Sequence, residues 1–211
     1  MILFELAQSE HHPVYQEMAI ANVNRQYDFL RSIVLAAVKT GKPFISHHLI
    51  KALNFHAITC LHTNAGEYRP WLVKVGDYHP PEHFRVPDLM DDFINTVNIN
   101  LATADPVELA AYVLWRLNYI HPFNNGNGRT ARAAAYYVLC VRSGGWLRGS
   151  PILPELLVQN RDEYVAALKA ADASLPTGSL DLSALHALLT RLLEQQMLNA
   201  RLGSDGPSSS D

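Results

Sequence analysis

Apolar residues recur every three or four positions along most of this chain. From residue 14 to 39, Ile20, Val23, Tyr27, Leu30, Val34 and Ala37 keep that spacing, which predicts one long amphipathic helix. Gly41 and Pro43 stop it. Ser46 is placed to cap a helix carrying Leu49, Ile50 and Leu53, with a further helical piece through Ile58 and Leu61. Residues 88–99 repeat the pattern with Leu89, Met90, Phe93, Ile94 and Val97 inward. Asp105-Pro106-x-Glu108 combines an N-cap, a proline at the first helical position and a carboxylate in the first turn. From there to Ile120 nearly every residue is apolar, so this helix is predicted to be buried all round. The next helix, 129–143, carries Ala131, Ala133, Ala134 and Ala135 for close packing and ends at Gly144-Gly145. Beyond Pro151–Pro154 come a helix around Tyr164 and a last amphipathic helix from Leu182 to about Leu202.

The helical pattern breaks between residues 71 and 86. Trp71, Leu72, Val73, Lys74 and Val75 read as a short strand, Gly76 to Pro81 as turns, and His83-Phe-Arg-Val86 as a returning strand. A hairpin with open edges can accept an extended peptide by strand addition. Gly203 to Asp211 is rich in Ser, Gly and Asp and predicts a disordered tail. With no repeat and no linker, residues 1–202 read as a single domain.

Composition narrows the function classes. The 211 residues are 48% hydrophobic, enough for one sizeable core. The net charge of −3 and the lack of a basic run argue against nucleic acid as a partner. No apolar run reaches membrane length, and the N-terminus lacks the basic start of a signal peptide, so the expected location is the cytoplasm, with leaderless secretion as the other route. Cys60 and Cys140 have neither metal nor redox spacing and read as reduced, mostly buried thiols. The adjacent pairs His11-His12 and His47-His48 point away from each other on a helix, so a protein-ligated transition metal is not expected.

The chemistry concentrates in His121-Pro-Phe-Asn-Asn-Gly-Asn-Gly-Arg-Thr-Ala-Arg132. Gly126 and Gly128 allow positive φ and close backbone approach. The following helix begins near Gly128 and presents unpaired N–H groups there. Arg129 and Arg132 share one face of its first turn. Two cations at a helix N-terminus oppose the macrodipole, an arrangement that makes sense around an anion such as a polyphosphate. His121 is the side chain suited to act as a base near neutral pH.

This string resembles the signature of the Fic family, matching it at His121, Phe123, Gly126, Asn127, Gly128, Arg129 and Arg132. The likeness extends to Leu61-His62, Ala65-Gly66-Glu67-Tyr68-Arg69, Val86-Pro87-Asp88-Leu89-Met90, Asn160-Arg161-Asp162-Glu163-Tyr164 and Ala166-Ala167-Leu168, roughly residues 45 to 200. It implies an all-α fold, a Fic-type helical bundle with a short β-hairpin flap. It also implies AMP transfer from ATP to a Ser, Thr or Tyr hydroxyl of a target protein. By the resemblance, His121 is the general base, Gly126, Asn127 and Gly128 hold phosphates, Arg129 and Arg132 contact them, Tyr164 and Asp172 lie on the base side, and residues 71–75 hold the target. Relatives that act as kinases carry Ala and Lys where Gly126 and Gly128 stand here.

One position departs from the pattern. Asn125 stands where the family usually has the Asp or Glu that holds Mg²⁺ (or Mn²⁺), so weaker metal binding is expected. That feeds an alternative reading: a silent nucleotide-binding module, or a member with another phosphoryl-type activity. The family's regulatory Ser/Thr-x-x-x-Glu-Gly/Asn helix is not matched; Thr190-Arg-Leu-Leu-Glu194-Gln195 comes near it but reads as an ordinary helical turn. Inhibition is therefore expected from a separate antitoxin-like partner or from self-association.

Overall fold

The computed structural model describes residues 2–204, and its helices follow the apolar spacing. A short α1 (Leu3–Ala7) precedes the long α2 (Pro13–Thr40), which the periodicity placed at 14–39. Gly41, at φ 66°, closes α2 by returning its N–H to the Val38 carbonyl. The Ser46 side chain accepts from Leu49 N–H and opens α3 (His47–Ile58). That helix stops at Ile58; Leu61, expected to continue it, is buried in the turn that follows. Then come α4 (Val86–Asn100) and α5 (Pro106–Ile120), the latter capped by Asp105, whose carboxylate accepts from Val107 and Glu108 N–H.

At the centre lies α6 (Asn127–Arg142). Its longest contact is with α5, and α2, α3 and α7 (Leu153–Gln159) cover its other sides. Ala131, Ala133, Ala134 and Ala135 are all buried, so the helix can be surrounded without a bulky spacer. The helix expected around Tyr164 is α8 (Arg161–Ser174), and α9 (Ser183–Ser204) lies across α8, α5 and α7. Of the tail expected at 203–211, residues from 205 onward lie outside the described residues, while residues 203 and 204 still belong to α9.

Two expectations are corrected. The two strands of the hairpin do not form. Among the described residues the flap has one reciprocal backbone pair, Val75 and Tyr78 exchanging N–H···O bonds of 3.0 Å around Gly76-Asp77. Residues His83–Arg85 make a 3₁₀ turn that runs straight into α4. Pro80 and Pro81 supply no N–H to a ladder, and the carbonyls of Trp71 and Pro81 are taken by the Arg69 guanidinium. Cys60 is exposed, at φ 64°, whereas Cys140 is buried as expected.

Candidate active site

The helix α5 delivers His121 to its C-terminal end, where the residue takes the left-handed conformation, φ 51° and ψ 57°. The imidazole Nδ1 lies 3.4 Å from the Asn118 carbonyl, which can only accept, so Nδ1 carries the proton and Nε2 is left basic. Burial depresses the His121 pKa to about 4; the Asn118 contact opposes that shift and the nearby Arg69 charge adds to it. The imidazole is thus neutral at pH 7.

Arg69 is the clamp behind it. Only 2% exposed, it donates Nε–H to the His121 carbonyl at 2.8 Å, Nη1 to Trp71 O at 3.0 Å and Nη2 to Pro81 O, with Ile120 O at 3.5 Å. Its own N–H bonds Pro122 O at 2.9 Å. A cation at the C-terminal end of α5 is where the macrodipole favours one. Residue spacing does not single out Arg69, because a buried arginine and a solvated one look alike in sequence.

The loop 122–126 is held from inside. Asn127 uses both ends of its amide on Phe123, accepting from its N–H at 2.9 Å and donating to its carbonyl at 2.8 Å. The Asn127 side chain is thus turned into the loop, and the residue is buried. The buried Asn54 donates to Asn125 O at 2.9 Å and to Thr130 Oγ1 at 3.3 Å, and accepts from Gly66 N–H. Gly126 sits at φ 76°, and a Cβ there would come within 2.6 Å of Ile58 Cγ2. This glycine caps α6, and no side chain caps that end. The N–H groups of Asn127, Gly128 and Arg129 accordingly lack intrahelical acceptors.

The two motif arginines both line a cavity of about 470 Å³ with Tyr27, Glu155 and Gln159, but their other contacts differ. Arg129 donates to Ala57 O at 2.8 Å and to Asn125 Oδ1 at 3.0 Å, tying the loop to the end of α3. Arg132 instead lines a cavity of about 410 Å³ together with His121, Gly128, Asn118, Tyr164 and Asp172. The cavity brings together most of the residues singled out in the sequence; Arg129, Asn125 and Asn127 are not in its wall, and of the flap segment 71–75 only Val75 is. Tyr164 is buried, and its hydroxyl accepts from Asn118 Nδ2 at 2.9 Å while the Arg132 guanidinium favours its ionised form, against the larger effect of burial. Asp172 accepts from Trp115 Nε1 at 2.9 Å, and burial raises its pKa. Trp71, Leu72, Lys74 and Val75 are exposed at the flap and Val73 is half-buried.

Three side chains near the motif came from outside it. Glu10 accepts from Asn125 Nδ2 at 3.1 Å and lies 3.3 Å from His62 Nε2. Tyr15 OH bonds the same His62 nitrogen at 2.7 Å. The α1 backbone fastens this strap to the body through Leu3 N–H to Cys60 O and Phe4 N–H to Leu61 O. Nothing in the spacing of residues 3–15 points to the loop more than 100 positions later.

Residues 44–139 match the Fic/DOC family. The protein adenylyltransferase fic-1 of Caenorhabditis elegans is 36% identical over 109 residues, 51% of this chain and 20% of the relative. The protein adenylyltransferase Fic of Nematostella vectensis is 35% identical over 115 residues, 51% of this chain and 24% of the relative. The chain thus spans about a fifth to a quarter of the length of these relatives. In three dimensions it is similar to C. elegans Fic-1 (residues 134–508) at a TM-score of 0.73 and 24% identity, covering 93% of this chain and 55% of that one. A Fic-domain signalling protein of Bacteroides thetaiotaomicron gives 0.66 at 18% identity, covering 90% and 75%. Residues 44–139 thus carry a Fic/DOC family domain, and the helical bundle around them has the fold of the solved Fic structures.

Proposed function

We propose that this protein transfers AMP from ATP to a hydroxyl side chain of a target protein. The observation that carries the reading is that the basic nitrogen-bearing ring of His121, the α6 N-terminus at Gly128 and the Arg132 guanidinium line one cavity. A triphosphate laid against the first turn of α6 meets outward N–H groups, a favourable helix dipole and a guanidinium. The relatives named as protein adenylyltransferases support the choice of reaction.

In this reading His121 Nε2 takes the proton as the target hydroxyl oxygen bonds the α-phosphorus. The bond from that phosphorus to the bridging oxygen breaks, and pyrophosphate leaves. Charge grows on the phosphoryl oxygens, where the α6 N–H groups and Arg132 act. A pKa of about 4 makes His121 fully unprotonated but only weakly basic in the empty site. A polyanion beside the ring favours the imidazolium and raises that pKa, matching basicity to the bound state. Asn118 holds the tautomer, and Tyr164 and Asp172 form the base-side wall. The exposed flap, Trp71 to Val75, is the surface for the target segment.

Asn125 favours a second reading, nucleotide binding without transfer. One assay separates them: labelled ATP with Mg²⁺ or Mn²⁺ and a cell lysate, beside His121→Ala. Label on protein that vanishes in the variant supports AMP transfer. Saturable ATP binding with no His121-dependent label supports the silent module.

A further inference from the structure

We infer that Arg161, the first residue of α8, grips the β- and γ-phosphates of the donor nucleotide and so holds the pyrophosphate that AMP transfer releases. The inference rests on the nucleotide reading above and adds to it a residue outside the motif.

One face of α8 forms a long wall of the 410 Å³ cavity. Arg161, Tyr164, Val165, Leu168, Lys169 and Asp172 all line it, at the three-four spacing that sets them in one stripe. From Arg161 to Asp172 the stripe runs about 16 Å at the rise of an α-helix. Its two ends differ in charge. Asp172, bonded to Trp115, stands at one end, and Lys169 one turn before it leaves that end without a net positive charge. Towards the other end, Arg132 lies between α6 and α8. A Cβ on Gly128 would come within 3.2 Å of Arg132 Nη1, and the Arg132 charge also acts on the Tyr164 hydroxyl. Arg161 stands one turn before Tyr164 on the same stripe, at the end away from Asp172. The cationic end of the cavity is therefore the end with the α6 N-terminus. A nucleotide laid along α8 puts its polyphosphate there and its base towards Asp172 and Trp115.

The Arg161 guanidinium is available for a ligand. It is exposed, and among the described residues it has no hydrogen-bond or ion-pair partner. The neighbouring acids are engaged elsewhere: Glu163 pairs with Arg191 at 2.5 Å, and Asp162 sits on another face of α8, outside the cavity wall. Asn160 gives α8 no side-chain cap. A cation in the first turn opposes the helix dipole, so α8 repeats what α6 shows, an uncapped N-terminus that carries an arginine. Arg129 is held by Ala57 O and Asn125 Oδ1 and is not in this wall, which leaves Arg132 and Arg161 as its guanidiniums. When the bond from the α-phosphorus to the bridging oxygen breaks, the pyrophosphate keeps the electron pair. A planar fork beside it offsets the added charge.

Binding is read by isothermal titration with Mg²⁺ present, using the α,β-methylene analogue of ATP, AMP and adenosine. Arg161→Gln is expected to weaken the ATP analogue about tenfold, while AMP and adenosine hold within about twofold. Arg161→Lys is expected to recover part of the loss, because it keeps the charge without the fork. Parent and variants are expected to melt alike without nucleotide, since the side chain has no partner in the fold. An unchanged affinity for the ATP analogue in Arg161→Gln overturns the inference alone. So does an equal loss for AMP or adenosine, which moves Arg161 to the nucleoside side. A parent that binds none of the three removes the nucleotide reading as well.

Discussion

Replacing Arg69 by methionine tests how the catalytic loop is held. Methionine keeps the stem and removes the fork. Three carbonyl contacts go at once, those to His121 O, Trp71 O and Pro81 O, along with the longer approach to Ile120 O. A hydrogen bond to a charged group contributes about 1.5–3 kcal/mol net. The full sum is not lost, because Trp71 is exposed and its carbonyl can take water, and because a buried cation no longer has to be desolvated. The carbonyls of Ile120 and His121, at the closed end of α5, have no such recourse. The expected loss is about 3–5 kcal/mol. With a urea dependence of about 2–3 kcal/mol per molar for a chain of this size, the unfolding midpoint moves down by roughly 1–2.5 M at an unchanged slope. Arg69→Lys keeps the charge without the planar fork and is expected to lose about half as much. A methionine variant less than about 1 kcal/mol below the parent refutes the clamp.

Other expectations follow from the same geometry. Gly126→Ala combines a left-handed φ with a Cβ 2.6 Å from Ile58 Cγ2, so about 2–4 kcal/mol is lost in thermal unfolding; Ile58→Ala in the same chain relieves the clash but not the strain, and no partial rescue means the contact is not the cause. Asn54→Ala frees Asn125 O, Thr130 Oγ1 and Gly66 N–H together and is expected to cost about 2–3 kcal/mol in urea; a loss under about 1 kcal/mol shows that the loop holds without it. His121 has a folded pKa of about 4 against the ordinary 6.5, so the unfolded chain takes the proton first. The stability this contributes is full above pH 6.5 and is lost as pH falls towards 4, by about 3 kcal/mol. His121→Gln should flatten that part of the stability curve, and parallel curves for parent and variant contradict the shift.

Helix periodicity made the bundle legible because the apolar faces of α2, α4 and α5 each point at one core. The flap was less legible for a physical reason. Residues 71–75 have strand composition, but a strand exists only with a partner, and here Arg69 and two prolines remove the acceptors and donors that pairing needs. The motif residues were found from chemistry, yet their division of labour was not. Asn127 and Arg129 belong to the same string as Arg132 but direct side-chain hydrogen bonds to the loop and to α3. Glu10, Asn54 and Asn118 reach the site from other elements, and only the folded chain brings them there.

That division has an energetic consequence. The groups that fix the loop are satisfied by protein atoms, so removing them costs stability first. The groups that face the cavity are arranged against stability. Arg132 stands in the second turn of α6 beside the buried Tyr164, near a helix end that has no capping side chain and already carries Arg129. Arg132→Gln is therefore expected to leave the fold intact or raise its melting temperature slightly, while weakening ATP at least tenfold. Binding by isothermal titration and melting by calorimetry read the two effects separately. An Arg132 variant that loses stability in step with affinity places this residue among the loop's supports, and the anion cradle then reduces to the backbone of Gly128 and its neighbours.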